Sequence, residues 1–453
     1  MKWPFSPIDW CGWIPCGPSD VSDDALIRFM SELRWADVPS LVQRRAGFLL
    51  ADHAAVVVAG RAAPTSRIAA DYASEVHPGS EATALFDGRR IGVLGAAWSN
   101  GVLANALDMD DGHRITKGHP GAIVIPAALA VAELVDAPLE RLLAAVVVGY
   151  EVAVCAGMAL HARETEYHAS GAWGAIGAAA AAASLLELPT DAIRHAIGLA
   201  EYHAPSARIM RSVAEPAMTK DACGHGAWLG VSSTLLARRG FTALPPEFLD
   251  EQRDVRAGEW RLPEVYVKDH PCCRWSQPAI RAALSVRDDV AATDRIERVT
   301  IRTFAAAGAL SRRIPTTTED AQYSLVWPVA TAIARGGFGV DDVLGPFDDH
   351  EVTELARKVV VEIDPRMDAG FPERRLSVVE LELHDGRRVV SEAVEARGEC
   401  DDPDWEDVIV GKVARLLGPL ERGSAAHGGS LGGLDAGQLV ATLHGALPAV
   451  LHA

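Results

Sequence analysis

The sequence is poor in cysteine. Its 453 residues include seven cysteines, an odd number, and no pair of them has the CxxC spacing. So sparse a set argues against a disulfide framework and against a structural zinc site, and it favours a reducing cytoplasm. The adjacent Cys272 and Cys273 are poorly placed to form a disulfide with each other without strain.

Positive charge is also scarce. Lysine and arginine together number 43 against 61 aspartates and glutamates, which gives a formal net charge of −18. Such a surface repels phosphate backbones, so we expect no nucleic-acid partner.

Long uninterrupted apolar runs are missing as well. The longest apolar stretch, Leu142 to Leu160, is interrupted by Glu151. A membrane span needs about 20 predominantly apolar residues, so this stretch predicts a buried helix and no membrane partner. The N-terminus lacks the apolar run and the cleavage site of a signal peptide. The expected location is therefore the cytoplasm.

The first half of the sequence is rich in alanine and helical in pattern. Between Asp23 and about Leu244, apolar residues recur at helical spacing. The segments GAIVIPAALAVAELV, LLAAVVVGYEVAVCAGMAL and GAWGAIGAAAAAASLLEL are apolar almost all round. Helices of that kind lie inside a bundle rather than on its surface.

The pattern changes after about Ile280. IERVTIRTF and KVVVEIDP alternate with period two, and RLSVVELELHDGRRVVSEAVE predicts a hairpin at Asp385-Gly386. EDAQYSLVWPVATAIARGGF is helical in pattern despite Pro328. We therefore predict a mainly α protein with three parts: an N-terminal arm at 1–22, a helical domain formed by 23–274 and 405–453, and an inserted α+β lid domain at 275–404.

A concentration of titratable residues interrupts the apolar segments. LDMDDGHRITKGHPG, residues 107–121, carries Asp108, Asp110, Asp111, His113 and His119. Helix capping accounts for one or two of these carboxylates. The EF-hand pattern fails, since its fifth and twelfth positions would be a glycine and a histidine, and no HExxH occurs, so no metal is predicted.

Further polar clusters follow along the chain. His168 precedes a Gly/Ala-rich helix, where a single histidine is more often structural than catalytic. PAMTKDACGHGAW contains Lys220, YVKDHPCCRWSQP contains Lys268, and EDAQYSL contains Tyr323, which is either a hydroxyl donor or a core residue.

Taken in order, these segments resemble the MmgE/PrpD family. The resemblance covers about residues 25–420 and rests on seven motifs: NGVLANALDMDD, GHPGAIVIPAALAVAE, HASGAWGAIGAAAAA, TKDACGHGAW, VKDHPCCRW, DAQYSL and the HDGRR hairpin. It implies a helical domain built from both ends of the chain, a smaller α+β lid, a homodimer, and a site at the domain junction with no metal and no organic cofactor.

The resemblance also implies a catalytic set. The matching positions are Asp108, His119, His168, Lys220, Lys268 and Tyr323. Four positions depart from the family pattern: a threonine is replaced by Gly112, and histidines are replaced by Asn105, Cys223 and Cys273. The loop also gains positive charge from His113, Arg114 and Lys117. These departures make cis-aconitate decarboxylation less expected.

Family members act on carbon beside a carboxylate, which creates negative charge on the carboxylate oxygens. Lysine and tyrosine donors would stabilise that charge in a dry pocket. His119 or His168 would be the base, with Asp108 orienting a histidine or bridging to substrate. The candidate substrate-binding residues are His113, Arg114, Arg208, Arg211, Cys273 and Arg274. A solvated helix face explains Arg208 and Arg211 equally well.

The function predicted from the sequence is a cofactor-independent lyase acting on a small di- or tricarboxylate, first of all a 2-methylcitrate dehydratase-like hydro-lyase. The alternatives are an epimerase of the iminodisuccinate type that uses the same enolate chemistry and a cis-aconitate-type decarboxylase. A helical scaffold without activity is disfavoured, because binding alone has no chemical need for the whole catalytic set.

Overall fold

A computed structural model describes residues 24–417 except 165, 252–258 and 291–292. The predicted N-terminal arm at 1–22 and the part of the predicted C-terminal helical segment beyond residue 417 lie outside the described residues. Within the described part the protein is mostly helical, as predicted.

The described residues form nineteen α-helices: α1 Asp24–Glu32, α2 Ser40–Gly60, α3 Pro64–Val76, α4 Val93–Asn105, α5 Gly121–Leu134, α6 Leu139–Arg163, α7 Gly171–Leu185, α8 Thr190–Tyr202, α9 Ile209–Ala214, α10 Cys223–Ala237, α11 Glu247–Glu251, α12 Gln277–Arg287, α13 Ala305–Gly308, α14 Thr318–Gln322, α15 Val326–Arg335, α16 Val340–Leu344, α17 His350–Arg357, α18 Pro365–Ala369 and α19 Trp405–Leu417. They also form eight strands: β1 Ala82–Thr83, β2 Arg90–Ile91, β3 Gly112–His113, β4 Val265–Tyr266, β5 Ile296–Thr303, β6 Val359–Ile363, β7 Ser377–Leu383 and β8 Arg388–Val390.

The alanine-rich helices lie in the interior, as their composition predicted. Helices α5, α6 and α7 are buried on nearly every side over most of their length. Small residues let their axes approach closely: a Cβ added at Gly177 of α7 would lie 2.4 Å from the carbonyl oxygen of Gly149 of α6. A side chain there would therefore separate the two helices.

The predicted strands form one mixed sheet of four strands in the order β6-β5-β7-β8. Strands β5 and β6 are parallel, whereas β5–β7 and β7–β8 are antiparallel. The predicted hairpin at Asp385-Gly386 is confirmed, and Gly386 has a φ of +84° in its turn. The predicted helix at EDAQYSLVWPVATAIARGGF is interrupted: it divides into α14 and α15 on either side of Tyr323.

Two large hydrophobic cores underlie the described elements. The first is formed by the helices of the N-terminal half and includes Trp405, Val408 and Ile409 of α19. The second surrounds the four-stranded sheet and α12 and α15. The C-terminal end of the described chain thus packs with the first helices. The exact domain bounds and the lid arrangement stay predictions.

Helix α6 is long and apolar enough to cross a membrane by length and composition, but 89% of its most apolar window is buried inside the protein. The bent pair of α2 and α3, which meet at 93°, passes the same test only if it is counted as one span. Burial against neighbouring helices fits the predicted core helix.

Candidate active site

The titratable loop between α4 and α5 is tied to a distant part of the chain. Its strand β3 pairs antiparallel with β4, so that Gly112 faces Tyr266. A Cβ at Gly112 would lie 2.5 Å from the Tyr266 side chain, which explains why this position carries glycine. Strand β4 leads directly into Lys268. The pairing therefore brings Lys268 beside Asp108, 160 residues away in sequence.

Lys268 is almost completely buried and is held by carboxylates. Its Nζ donates to Asp108 Oδ1 at 2.7 Å and lies 3.8 Å from Asp110 Oδ1. Burial alone would lower the pKa of Lys268, but the carboxylates of Asp108 and Asp110 together outweigh burial and raise the pKa above its ordinary value. Lys268 is therefore a permanent ammonium at neutral pH. With three N–H donors and one short bond to Asp108, it keeps donors free for a ligand.

His119 lies among three carboxylates. Its Nδ1 is 2.7 Å from Asp110 Oδ2, and its Nε2 is 3.6 Å from Asp108 Oδ1 and 3.5 Å from Asp221 Oδ2. Burial disfavours the charged imidazole, but Asp110 and Asp221 together outweigh burial and raise the pKa of His119 above its ordinary value. The proton on Nδ1 faces Asp110, so Nε2 is the nitrogen that points to the other carboxylates. His119 is thus suited to hold a proton and deliver it.

Asp221 joins the site from the segment before α10. Its Oδ2 accepts a hydrogen bond from the Tyr323 hydroxyl at 3.2 Å, and its Oδ1 accepts one from Ser170 Oγ at 2.8 Å. Burial, followed by the charge of Asp221, raises the pKa of Tyr323 well above its ordinary value. Tyr323 therefore remains a neutral hydroxyl donor. The same Ser170 Oγ accepts from the backbone N–H of His119, which links the two halves of the site.

Lys220 lies behind these groups. Its ammonium donates to the carbonyl oxygen of Asn105 and to Gln322 Oε1, the latter at 2.6 Å. Lys220 also has a positive φ of 40°. It therefore joins the end of α4 to the end of α14 and holds Asn105, whose amide donates to Asp110 Oδ1 at 3.0 Å.

Most of these side chains border one cavity, with a volume of about 30 Å³, part of which is open to solvent. Six of the residues predicted from the sequence line it: Asp108, His119, Lys268, Cys273, Arg274 and Tyr323. The cavity is lined by both proton-transfer groups and cationic donors, the convergent polar groups that a site for a small anionic molecule needs. Lys220 does not line it.

Asp108, Asp110 and His119 also offer ligand atoms within 4.8 Å of one another, close enough to hold a metal ion. The neighbouring charges argue against a metal ion at this position. Lys268 Nζ already lies 2.7 Å from Asp108 and 3.3 Å from His119 Nδ1. A divalent ion among the same oxygens would be repelled by that ammonium. The donor set therefore fits the lysine better than a metal.

His168, Arg208 and Arg211 are among the predicted site residues that lie away from the cavity wall. His168 forms a bridge with Arg208, and its ring stacks on that of His161 at 6.2 Å. Arg208 is exposed and pairs with Glu166, and Arg211 is exposed at the end of α9. In this structure the short α9 turns both arginines toward solvent. Their predicted place beside the substrate is not supported, and the alternative of a solvated face describes both.

The predicted carboxylate clamps Arg114 and Arg274 are both engaged by one glutamate. Arg114 Nη2 donates to Glu399 Oε2 at 2.8 Å, and Arg274 Nε donates to Glu399 Oε1 at 3.2 Å. Burial opposes ionisation, but Arg274 and its neighbours outweigh it and lower the pKa of Glu399 to about 2. Arg274 still borders the cavity, but its charge is compensated. Arg114 therefore joins the segment before α19 to the loop between α4 and α5, and Arg274 joins the same segment to the chain just before α12.

The remaining two predicted substrate-binding residues differ in position. His113 is buried off the cavity, where its Nε2 is 3.1 Å from Glu264 Oε2, so it supports β3 rather than a ligand. Cys273 lines the cavity, and burial raises the pKa of its thiol. It is a neutral, poorly nucleophilic wall residue.

Sequence reasoning missed the roles of Asp110 and Asp221. Asp110 appeared only as one of several acidic residues in the loop, and Asp221 only as the residue after Lys220 in TKDACGHG. A usable signal existed for Asp221, because the motif that supplies Lys220 also carries it. For Asp110 the spacing alone could not distinguish it from Asp111, which instead accepts hydrogen bonds from Tyr150 and the backbone of Gly121.

Comparison with known proteins gives two family matches. Residues 24–258 match the MmgE/PrpD N-terminal domain, and residues 270–427 match the MmgE/PrpD C-terminal domain. The chain is 26% identical over 353 residues to "Cis-aconitate decarboxylase-like protein oryM" of Aspergillus oryzae, covering 69% of this chain and 73% of the relative. It is 23% identical to "Cis-aconitate decarboxylase" of Aspergillus terreus, covering 87% and 89%, and 28% identical to that of Homo sapiens, covering 60% and 61%.

Proposed function

Because the chain belongs to the MmgE/PrpD family, we propose that it is a lyase that acts on a small polycarboxylate through a carbanion formed beside a carboxylate group. One observation carries the proposal: His119 lies between Asp110 and Asp221 in the same cavity as Lys268. A proton-transfer pair and a fixed cation are the two requirements of this chemistry.

Lys268 would hold the carboxylate beside the reacting carbon. Loss of a proton or of CO₂ from that carbon places negative charge on the carboxylate oxygens. The ammonium is fixed by Asp108 and excluded from bulk water, so it needs little reorganisation when that charge develops. Tyr323 would add a neutral hydroxyl donor on the same cavity.

His119 and Asp221 would move the protons. In a dehydration, the Asp221 carboxylate accepts the carbon-bound proton, the C–O bond breaks, and His119 Nε2–H protonates the leaving hydroxyl, giving an alkene and water. Nε2 and Oδ2 are 3.5 Å apart, so a proton can return from Asp221 to His119 after each turnover. The raised pKa of His119 favours this acid role over the role of initial base that the sequence suggested. The first candidate is therefore a hydro-lyase of the 2-methylcitrate dehydratase type.

The named relatives favour a second candidate, a decarboxylase of the cis-aconitate type. There the C–C bond to a carboxylate breaks, CO₂ leaves, and His119 gives its proton to the carbanion that remains. Gly112 and Cys273, which replace a threonine and a histidine of the family pattern, weigh against this candidate. The epimerase predicted as an alternative would use the same carbanion and return the proton to the opposite face.

The three outcomes are separated by NMR in deuterated water with a panel of hydroxy-, imino- and unsaturated polycarboxylates. Water loss with a new alkene signal supports the hydro-lyase, and CO₂ release with one deuterium gained at carbon supports the decarboxylase. Deuterium exchange or inversion without a new product supports the epimerase. A folded protein that produces none of these changes with any polycarboxylate would overturn the proposal.

We also propose a cytoplasmic homodimer that works without an added cofactor. Light scattering of the purified protein tests the dimer. Turnover that survives exhaustive chelation and dialysis tests the independence from metals and dissociable cofactors. A strict requirement for an added metal ion would contradict the argument from Lys268.

A further inference from the structure

Lysine is rare in this chain, and most of its lysines are buried. Six of the 43 basic residues are lysines. Of the five in the described part, four have exposures of 9% or less: Lys117, Lys220, Lys268 and Lys412. Most basic residues of this protein are arginines, and a buried ammonium is unfavourable unless it has a partner. Each buried lysine therefore needs a specific explanation.

Three of the four buried lysines have oxygen partners. Lys220 donates to Asn105 and Gln322, Lys268 donates to Asp108, and Lys412 pairs with Asp52 and donates to two backbone carbonyls. The half-buried Lys358 donates to the carbonyl oxygen of Ile296. Each of these ammonium groups is thereby satisfied.

Lys117 differs from all of them. Its Nζ is buried and has no hydrogen-bond partner among the described residues, although the side chain lines the cavity. The ammonium lies 3.3 Å from the centre of the Tyr167 ring and 5.2 Å from that of Phe371. Aromatic faces attract a cation but accept no conventional hydrogen bond, so three strong donors are left unused.

The charges around Lys117 do not compensate it. Burial and the neighbouring Arg375 lower the pKa of Lys117 to about 7, and Glu373 opposes this only in part. Arg375 is buried behind Tyr266, and its Nε and Nη1 also have no hydrogen-bond partner. On the side of α6, His161 is partly buried, and its Nδ1 atom is buried without a partner. The surroundings of Lys117 therefore have an excess of positive charge and unused donors.

The backbone holds Lys117 in place. Lys117 has a φ of 52°, a left-handed conformation that non-glycine residues rarely adopt. Its amide donates to His113, and the next residue, Gly118, is so close to Ser170 that a Cβ there would lie 2.4 Å from the serine oxygen. The loop is thus packed against the start of α7, and this packing fixes the position of Lys117 at the cavity wall.

We propose that Lys117 binds a second carboxylate of the substrate, distinct from the one that Lys268 holds beside the reacting carbon. This inference rests on the proposed function and adds to it a specificity-determining residue. A buried ammonium without an oxygen partner is costly in the empty enzyme, and a carboxylate would supply the missing acceptor. The enzyme would therefore select substrates with a carboxylate at a distance from the reacting centre.

The test measures equilibrium binding of tricarballylate (propane-1,2,3-tricarboxylate), which has no hydroxyl group to eliminate. Calorimetry compares the wild type with K117M, K117R and the control K358M. We expect the dissociation constant to rise at least tenfold in K117M, about threefold or less in K117R, and to remain unchanged in K358M. Binding to the wild type near pH 8 should also be accompanied by proton uptake, because the carboxylate favours the charged lysine; K117M should lose this uptake.

Several outcomes distinguish the two proposals. Unchanged tricarballylate binding by folded K117M, shown by an unaltered circular dichroism spectrum, would overturn the lysine subsite alone. Failure of the wild type to bind tricarballylate would overturn the lysine subsite, whereas the lyase proposal is decided by the turnover panel alone. Lysine-dependent binding without turnover of any polycarboxylate would retain the subsite and overturn the lyase. With a turned-over substrate, the subsite predicts that K117M raises KM by at least tenfold and changes kcat much less.

Discussion

Lys268 and Lys117 line the same cavity but represent opposite solutions for a buried ammonium. Lys268 is bound to Asp108, and its pKa is raised. Lys117 faces aromatic rings with Arg375 nearby, and its pKa is lowered to about 7. The first charge is already stabilised in the empty protein, whereas the second is not. The ammonium of Lys268 has its partner within the fold, whereas we propose that a ligand supplies the partner of Lys117.

The largest effect on turnover is expected from a substitution of His119, the proposed proton-transfer group near Lys268. H119Q removes the group that holds the transferable proton, so we expect turnover to fall by about 10³-fold or more while the protein stays folded. NMR turnover assays measure the loss. H225Q, at an exposed histidine of α10, should stay within about threefold of the wild type.

His168 contrasts with His119, because it was also predicted to be catalytic but does not line the cavity. H168Q should lose at most about tenfold in turnover, because its ring stacks on His161 rather than facing the cavity. A loss as large as that of H119Q would restore the direct role predicted from the sequence.

The stability of the two lysine variants should differ in the same way. K268M leaves the buried carboxylates of Asp108 and Asp110 without their ammonium partner, which should cost about 3–5 kcal/mol of unfolding free energy. K117M removes an uncompensated buried charge, so it should leave the free energy of unfolding unchanged or raise it at pH 7. Urea denaturation measures both. Equal destabilisation by K268M and K117M would contradict the claim that only Lys268 is stabilised by a partner within the protein.

The pH dependence of the free energy of unfolding should distinguish the two lysines further. A lysine whose folded pKa is lowered to about 7 binds fewer protons in the folded state than in the unfolded state between pH 7 and its ordinary value near 10.5. Its contribution to stability therefore rises with pH across that interval. Relative to K117M, the wild type should gain about 1–3 kcal/mol between pH 7 and 10. Parallel pH profiles of the two proteins would contradict the environment described for Lys117.

The smallest effect is expected at the cavity thiol. Burial raises the pKa of Cys273, so the thiol is neither a nucleophile nor a proton donor at neutral pH. C273A should retain turnover within about threefold of the wild type in the same NMR assay. A loss of a hundredfold or more would show that the thiol takes part in the reaction.

Much of the site could be predicted because its residues sit in motifs with a recognisable order. Asp108, His119, Lys268 and Tyr323 came from four separate motifs, and all four line the cavity. The arginines were different. Charge and residue type suggested that Arg114 and Arg274 clamp a substrate carboxylate, but Glu399 of the protein itself occupies both. The sequence alone does not show whether an arginine pairs with a carboxylate of the protein or remains available for a substrate.

Local periodicity and composition determined the buried alanine-rich helices, the strands β5 to β8 and the hairpin at Gly386, because these depend on neighbours a few residues apart. Tertiary structure alone decided which charges meet. The pairs Lys268–Asp108 and Lys412–Asp52, the placement of Asp221 beside His119, and the isolation of Lys117 all depend on contacts between distant segments. In a buried site the free energy of a charge is set by the groups that packing places around it.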